Sequence, residues 1–148
     1  MNTGHRSLRP ILAIDYGTKY VGTAILIDSH LDFPTPYMRI DNQSRNQLLN
    51  QLYKILLKEK IKLVVVGIPH LLDGQKTDMG KIIGRFIADL KTKCTALELT
   101  ITDQDETLTS FEAENRMKSS ALYNFRIDKK KIDCLAAAII LEEFISLS

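Results

Sequence analysis

Two apolar runs near the start of the chain predict its first pair of strands. Residues 11–14 and 21–27 are almost wholly apolar, and Gly17 between the runs and Gly22 at the start of the second mark the junction. Glycine tolerates tight reversals of the backbone, so a glycine-marked junction between two apolar runs is typical of a β-hairpin. The chain is therefore expected to open with two antiparallel strands.

A third strand is predicted over residues 37–40. Pro34 and Pro36 precede it, and proline cannot donate a hydrogen bond to a neighbouring strand. Such a strand is tolerated at the edge of a sheet, where one side of the backbone has no partner. We therefore expect this strand to lie at an edge.

Helices and strands alternate over the rest of the chain. Helical spacing and caps predict four helices, over residues 44–60 (opened by a Ser44 and Gln47 capping box), 82–90, 110–118 and 128–140 (capped by Asp128). The uniformly apolar run at residues 63–66 predicts a central strand that is covered on both faces. Strict alternation over residues 97–102 predicts a last strand with one wetter face.

The resulting order of elements, βββ-α-β-α-β-α-α, predicts an α/β fold. Helices between the later strands imply parallel pairing, whereas the opening hairpin is antiparallel, so the sheet should be mixed with helices on both faces. With 148 residues the chain is long enough for one domain over residues 1–148. Residues 1–9 are expected to form a flexible tail.

Composition narrows the class of protein. No apolar run is long enough to cross a bilayer, which favours a cytoplasmic protein without a membrane anchor. Cys94 and Cys134 form no metal-binding or disulfide pattern and suit small buried side chains. The net charge of +2 does not by itself indicate a nucleic-acid partner. His5, His30 and His70 share no metal-ligand spacing and receive no catalytic role.

Acidic residues stand where two predicted strands end. Asp15 follows the first apolar run, and Asp105 and Glu106 follow the last predicted strand. Open α/β sheets bind ligands at the carboxyl ends of their strands, so these acids are candidates for one site. Each has a simpler explanation, because an Asp-x-Gly turn is ordinary in hairpins and acids before a helix stabilise its N-terminus.

Asp133 is the third candidate. It borders the apolar stripe of the last helix, beyond its first turn if Asp128 is the cap, and should face the sheet. A partly buried acid needs a partner, which can be a lysine, an arginine or a metal ion. Shared with Asp15 and Glu106, Asp133 would form a carboxylate set for Mg²⁺ or Mn²⁺, with two ions able to activate water and stabilise a leaving oxygen.

Several residues are candidates for phosphate contacts around these acids. Lysines at the N-terminus of a helix oppose its dipole, so a cationic run there suits a phosphate partner, although a solvated charge run is the simpler alternative. The turn after Asp15 offers glycines, a hydroxyl and a cation near a phosphate. The expected nucleic-acid contacts are Gly17, Thr18, Lys19, Thr109, Arg126, Lys129, Lys130 and Lys131.

Four segments in order resemble the YqgF (RuvX) family, nucleases for pre-16S ribosomal RNA that are related in fold to Holliday-junction resolvases. The resemblance extends from about Ile11 to Phe144. Its segments are D-Y-G-T-K-Y-V-G from Asp15, V-V-V-G-I-P-H-L-L-D-G from Val64, D-E-T-L-T-S from Asp105 followed by E-A-E, and I-D-C-L-A-A-A-I-I-L from Ile132. Each segment alone is weak, but the ordered set is specific.

The resemblance implies a ribonuclease H-like fold with a mixed five-stranded sheet of order 3-2-1-4-5. It also implies that Asp15, Glu106 and Asp133 are the catalytic, metal-binding acids of a hydrolase that processes the 5′ end of pre-16S ribosomal RNA, with the small ribosomal subunit as an expected partner. Two positions depart from the family pattern. Thr107 replaces a usual arginine, which removes a cation near the acids, and His70 replaces an apolar or amide residue.

Other functions remain open from the sequence. Branched DNA is the alternative substrate, because metal-assisted attack at phosphorus does not distinguish RNA from DNA. A non-cleaving nucleic-acid-binding factor for ribosome assembly would keep the acids without the activity. Actin-like ATPases share the D-x-G-T turn, but they bind nucleotide between two related domains and this chain has the length of one.

Overall fold

Five strands form one mixed sheet in this computed structural model, which describes residues 6–29, 32–69, 73, 75, 77–106 and 109–147, and of Thr109, Ser110 and Leu147 the backbone only. The strands are β1 (Ile11–Tyr16), β2 (Tyr20–Leu26), β3 (Thr35–Asp41), β4 (Leu63–Ile68) and β5 (Thr100–Asp105). Their order is β3-β2-β1-β4-β5, with β1, β2 and β3 pairing antiparallel and β1, β4 and β5 parallel. The predicted order 3-2-1-4-5 is confirmed.

Four helices cover the sheet: α1 (Arg45–Lys58), α2 (Asp78–Lys93), α3 (Thr109–Lys118) and α4 (Ile132–Leu147). Short 3₁₀ helices lie at Arg6–Leu8 and Ala121–Tyr123. The Ser44 hydroxyl oxygen accepts a hydrogen bond from the Gln47 amide at 3.1 Å, which opens α1 as its sequence predicts. In the described part of the chain, no helix combines the length and apolar character that a membrane crossing needs.

The two faces of the sheet carry separate cores. On one face, alternate side chains of β1 and β4 pack with α1 and α2. On the other face, Ile11, Ala13 and Val65 pack against α4, and α3 in turn packs on α4. All six residues of β4 are buried, as expected of a strand with helices on both sides. The prediction of helices on both faces is confirmed.

The bounds of every strand differ from the predicted ones by at least one residue, and in β1 and β5 the difference changes the interpretation. Strand β1 continues through Asp15 and Tyr16, so Asp15 lies within the strand rather than after it. Strand β5 begins at Thr100 instead of residue 97. The Leu97 amide donates to the Cys94 carbonyl at 2.9 Å, and the Leu97 side chain packs on the α2 core, so alternation there reflects a packed turn.

The start of α4 also differs from the prediction. The Asp128 carboxylate accepts a hydrogen bond from the Lys130 amide, and its carbonyl accepts from the amides of Lys131 and Ile132, as in a helix cap, but these bonds close a turn over residues 129–131 that precedes α4. Helix α4 therefore begins at Ile132 and carries Asp133 in its first turn, not beyond it.

The N-terminal segment is more ordered than a flexible tail over residues 1–9 would be. Arg9 is 1% exposed, and its guanidinium donates to the Ser29 carbonyl at 3.1 Å and to the Asp32 carboxylate at 2.5 Å. Arg6 binds the same two groups. Residues 6–9 thus pack on the loop after β2, which supplies the partners that a buried arginine needs; His5 and residues 1–4 lie outside the described residues.

Candidate active site

Asp15 lies in the middle of the sheet, on the face that α4 covers. It belongs to β1, the central strand, and its direct partner across the hairpin is Gly22 of β2. Side chains alternate along a strand, so Asp15 shares the face of Ile11 and Ala13, which pack against α4. A largely buried carboxylate thus stands beneath the helix that carries Asp133.

Gly22 allows the first turn of α4 to approach the sheet. A Cβ atom placed on Gly22 would lie 2.1 Å from the carbonyl oxygen of Asp133 and 2.7 Å from its Cβ. No side chain larger than hydrogen fits that gap. The glycine therefore permits the contact that sets Asp133 beside Asp15, a role that its predicted place at a hairpin junction does not indicate.

Gly67 likewise leaves room for a close approach, here of the Glu106 side chain, on the other side of Asp15. It lies in β4, the parallel neighbour of β1, and a Cβ there would lie 2.9 Å from Glu106 Cδ and 2.5 Å from Ile140 Cδ1. Glu106 follows β5, and its amide donates to the Ile68 carbonyl at 3.2 Å. The Glu106 side chain thus crosses over β4 towards the centre of the sheet.

The three acids affect one another electrostatically. Burial raises the pKa of Asp15 well above its usual value, and the neighbouring carboxylates of Glu106 and Asp133 raise it further. Burial also raises the pKa of Glu106 to about 7, with contributions from the carboxylates of Asp105 and Glu143. The pKa of Asp133 is raised by burial and lowered by the guanidinium of Arg39. The structure therefore brings Asp15, Glu106 and Asp133 into one site.

Arg39 is a member of this site that the sequence analysis missed. It lies on β3 opposite Gly22, next to an irregularity in the pairing of β2 with β3. There the Thr23 hydroxyl donates to the Met38 carbonyl at 2.7 Å and accepts from the Met38 amide at 2.9 Å. The Arg39 guanidinium stacks 3.9 Å from the centre of the Tyr20 ring. No local pattern distinguishes this arginine, because its role depends on strand register.

The turn between β1 and β2 follows Asp15 closely in the chain and is hydrogen-bonded to Asn42, the residue after β3. A Cβ on Gly17 would lie 2.4 Å from the Tyr20 carbonyl oxygen, so the tight turn itself requires this glycine. The Asn42 side chain donates to the Gly17 carbonyl at 2.8 Å. Thr18 and Lys19 are exposed in this turn, where they stay candidates for phosphate contacts.

The predicted cationic group lies just before α4. Arg126, Lys129, Lys130 and Lys131 are all exposed, and in residues 109–147 and the other described segments none forms an ion pair with a carboxylate. The side chain of Thr109 lies outside the described residues, as do Thr107, His30 and His70. Cys94 and Cys134 are free and buried, as predicted.

The carboxylates of Asp15, Glu106 and Asp133 are the type of ligand that a hard divalent cation prefers, but they do not form a complete coordination site by themselves. Carboxylate oxygens are the ligands that Mg²⁺ and Mn²⁺ prefer. Within the described residues, no three acidic, histidine or cysteine side chains are spaced to ligate one ion together. Repulsion between carboxylates opposes a closer approach, and a divalent cation would supply the opposite charge that favours it.

A mixed five-stranded sheet of this order with acids at its centre defines the class of ribonuclease H-like α/β nucleases. The chain belongs to the RuvX family, whose model, described as Holliday junction resolvase, matches residues 9–147. The family resemblance predicted from the ordered motifs is thereby confirmed, as is the prediction of a nuclease.

Two relatives illustrate the sequence similarity. A protein of Maridesulfovibrio salexigens named "Putative pre-16S rRNA nuclease" is 36% identical over 136 residues, which cover 92% of this chain and 97% of the relative. A protein of Crocosphaera subtropica with the same name is 37% identical over 134 residues, which cover 90% of each chain.

Solved structures of resolvases share the fold. The structure of Thermus thermophilus RuvC aligns with a TM-score of 0.61 at 9% identity and covers 93% of this chain and 95% of its own. A fowlpox virus resolvase, solved with its Holliday junction DNA substrate, aligns with a TM-score of 0.61 at 13% identity and covers 93% of this chain and 97% of its own. These likenesses confirm the ribonuclease H-like fold.

Proposed function

We propose that the chain is a metal-dependent endonuclease that hydrolyses phosphodiester bonds in structured nucleic acid, and that its substrate is the 5′ end of pre-16S ribosomal RNA. The observation that carries the proposal is the buried carboxylate of Asp15, flanked by two glycines over which Asp133 and Glu106 approach it. The names of the relatives support the choice of RNA. The proposal includes a cytoplasmic location and an encounter with precursors of the small ribosomal subunit.

In this proposal Asp15, Glu106 and Asp133 bind Mg²⁺ or Mn²⁺, in the form of two ions. When bound, such ions activate a water molecule and stabilise the leaving oxygen of a phosphodiester. The chain's own residues position and neutralise the substrate. Arg39, which lies close enough to Asp133 to lower its pKa, Lys19 and the cations before α4 are expected to bind phosphate oxygens.

Protonation of Glu106 sets the working pH of the site. Because its pKa is raised to about 7, a bound ion must displace a proton from this carboxylate near neutral pH. Metal binding is therefore expected to strengthen, and cleavage to accelerate, as the pH rises from about 6 to about 8. The nearby carboxylates of Asp105 and Glu143 add negative charge around Glu106, which also favours binding of a cation.

Branched DNA is the second candidate substrate, favoured by the family description as Holliday junction resolvase. The two are separated by incubating the purified chain with a pre-16S leader RNA and with a four-way DNA junction, in MgCl₂ or MnCl₂. We expect metal-dependent cleavage of the RNA, lost in Asp133→Asn. Cleavage of the junction alone would reassign the substrate, and cleavage of neither would contradict the proposal.

A matched control is available on the opposite face of the sheet. Asp103 of β5 pairs with Val66, which packs in the core under α1 and α2, and Asp103 is exposed. The Asp103→Asn variant removes the same charge from the same sheet without touching the site. It is expected to cleave like the parent protein, so loss of activity in Asp133→Asn alone would assign the effect to the site.

A further inference from the structure

An exposed apolar turn precedes α4. Residues 120–126, called here the 120–126 turn, include a 3₁₀ helix and carry Leu122, which is 82% exposed, and Phe125, which is 63% exposed. Tyr123 of the same turn packs partly against the core between α3 and α4. Large apolar side chains held in solvent, in the turn that leads into the helix of Asp133, indicate a contact surface.

The backbone of this turn is held in an unfavourable conformation. Asn124 has φ 54° and Phe125 has φ 55°, in the left-handed region that asparagine tolerates and a bulky residue rarely adopts. Hydrogen bonds maintain it: the amides of Phe125 and Asn124 donate to the carbonyls of Ser120 and Ala121, each at 3.0 Å. Strain that the surrounding bonds enforce is typical of functional positions, and here it keeps the Phe125 ring exposed.

Cations surround the turn. An open pocket of about 420 Å³ lies at this turn, and three of its lining residues are the cations Arg126, Lys129 and Lys130. The other lining residues are Tyr123, Asn124, Ile127 and Asp128. The pocket is anchored to the fold because the Asp128 amide donates to Sδ of Met117, a fully buried residue of α3. The chain runs from this pocket directly into α4, whose first turn carries Asp133.

We propose that the 120–126 turn stacks an unpaired nucleobase of the substrate next to the bond that is cleaved, with Phe125 as the stacking residue. This inference rests on the proposed function and deepens it, because it assigns a substrate that is single-stranded beside the cleavage site. An aromatic ring can stack only on a base whose face is free, whereas cations alone bind any phosphate backbone. An exposed ring beside cations that form no ion pair with any carboxylate in the described part of the chain therefore fits unpaired nucleotides better than a continuous duplex.

The test compares two RNA hairpins that differ in one feature. One ends in a blunt stem, and the other carries a single-stranded 3′ overhang of five nucleotides containing 2-aminopurine. Binding is measured in MgCl₂ with the full chain in the Asp133→Asn background, so that the RNA stays intact. We expect Phe125→Ala to weaken binding of the overhang hairpin about 10-fold and to leave the blunt hairpin within about 2-fold. Stacking should also quench 2-aminopurine fluorescence with Phe125 present and not without it.

Two further variants keep the test decisive. Phe125→Asn removes the ring but suits the left-handed backbone, so it guards against a loss of folding and should lose overhang binding equally. Phe33→Ala removes a ring with the same 63% exposure from the loop before β3 and should change nothing. Equal weakening of both hairpins by Phe125→Asn, no weakening, or an equal effect of Phe33→Ala would each overturn the stacking role.

The outcome is distinguishable from a failure of the proposed function. If the parent chain cleaves RNA but the Phe125 variants bind and cleave as it does, only the stacking role is wrong. If the parent chain cleaves no nucleic acid yet discriminates the overhang through Phe125, the stacking surface is correct and the nuclease function is not.

Discussion

At the scale of residues, the clustered carboxylates of the site destabilise the folded state. Burial disfavours the charged form of a carboxylate, and three carboxylates in one neighbourhood repel one another. Burial raises the pKa of both Asp15 and Glu106, and neighbouring carboxylates raise it further: Glu106 and Asp133 for Asp15, and Asp105 and Glu143 for Glu106. A chain under selection for stability alone would place an uncharged residue at such positions, so the retained acids indicate a functional demand for negative charge.

Replacing Glu106 by glutamine should stabilise the protein at neutral pH. Glu106 binds a proton more tightly in the folded chain, where its pKa is about 7, than in the unfolded chain, where the ordinary value of 4.5 applies. The free energy of unfolding is therefore highest with respect to this group below pH 4.5, and it falls as the pH rises from 4.5 through 7. In chelator-containing buffer, Glu106→Gln should gain about 2 kcal/mol in the free energy of unfolding at pH 8 and almost nothing at pH 4.

Urea unfolding at the two pH values measures this gain. Glu98→Gln, at an exposed position before β5, is the matched control and should change stability little at either pH. If Glu106→Gln is less stable than the parent protein at pH 8, the ionised Glu106 carboxylate stabilises the fold, and the prediction is wrong.

Arg39 should matter for cleavage more than for folding. Its guanidinium lies over the Tyr20 ring and lowers the pKa of Asp133, so it is placed to contact phosphate beside the acids. We expect Arg39→Gln to reduce kcat/KM for cleavage about 10- to 100-fold, with Arg39→Lys intermediate because lysine keeps the charge but not the planar fork. Equal cleavage by all three proteins would remove Arg39 from the site.

At the scale of elements, patterns identified what the chain forms but not how closely the elements meet. Alternation and apolar runs predicted the strands and both layers of helices, because these depend on periodicity along the chain, whereas the strand order was implied by the family resemblance. The roles of Gly22 and Gly67 could not be predicted that way. Each depends on a helix or a side chain from a distant part of the sequence lying over the strand, which no local pattern contains.

Gly22→Ala should disrupt the docking of α4. A methyl group there would lie within 2.2 Å of the Asp133 backbone, so the helix must move or the strand must shift. We expect a loss of about 2–3 kcal/mol in the free energy of unfolding and a loss of cleavage that exceeds what the remaining folded fraction explains. Chemical denaturation and single-turnover cleavage at a temperature below unfolding measure the two effects.

Gly84→Ala is the control for this prediction. Gly84 lies inside α2, and a Cβ there has no neighbour within 4 Å. Alanine in an open helical position should stabilise the protein by about 0.5–1 kcal/mol and leave cleavage unchanged. Similar effects of the two alanine substitutions would show that the contact between Gly22 and α4 does not determine the site.

At the scale of the molecule, the site joins three distant parts of the chain through the sheet. The sequence indicated the three acids, since each ends or borders an apolar element, and the ordered motifs named the family. It could not give the distances between them, the position of Asp133 in the first turn of α4, or the burial of Arg9. Those features depend on the register of strands and on partners such as Asp32 that are remote in sequence.

Because a bound ion would link β1, β5 and α4, metal binding should stabilise the whole fold. An ion present at about 100 times its dissociation constant adds about 2.7 kcal/mol to the free energy of unfolding, which for a chain of this size corresponds to about 5–10 °C in Tm. We expect MnCl₂ to raise the Tm of the parent protein by this amount at pH 8. The shift should shrink at pH 5, where Glu106 holds its proton.

Asp15→Asn separates a site-bound ion from one bound elsewhere. It removes the central carboxylate while keeping its size, and should abolish the shift in Tm; Asp103→Asn, on the opposite face, should keep it. An equal shift in both variants would place the stabilising ion outside the acidic site. A full shift at pH 5 would argue the same, because an ion held by Asp15 and Glu106 must compete there with protons that both carboxylates bind more tightly than free side chains do.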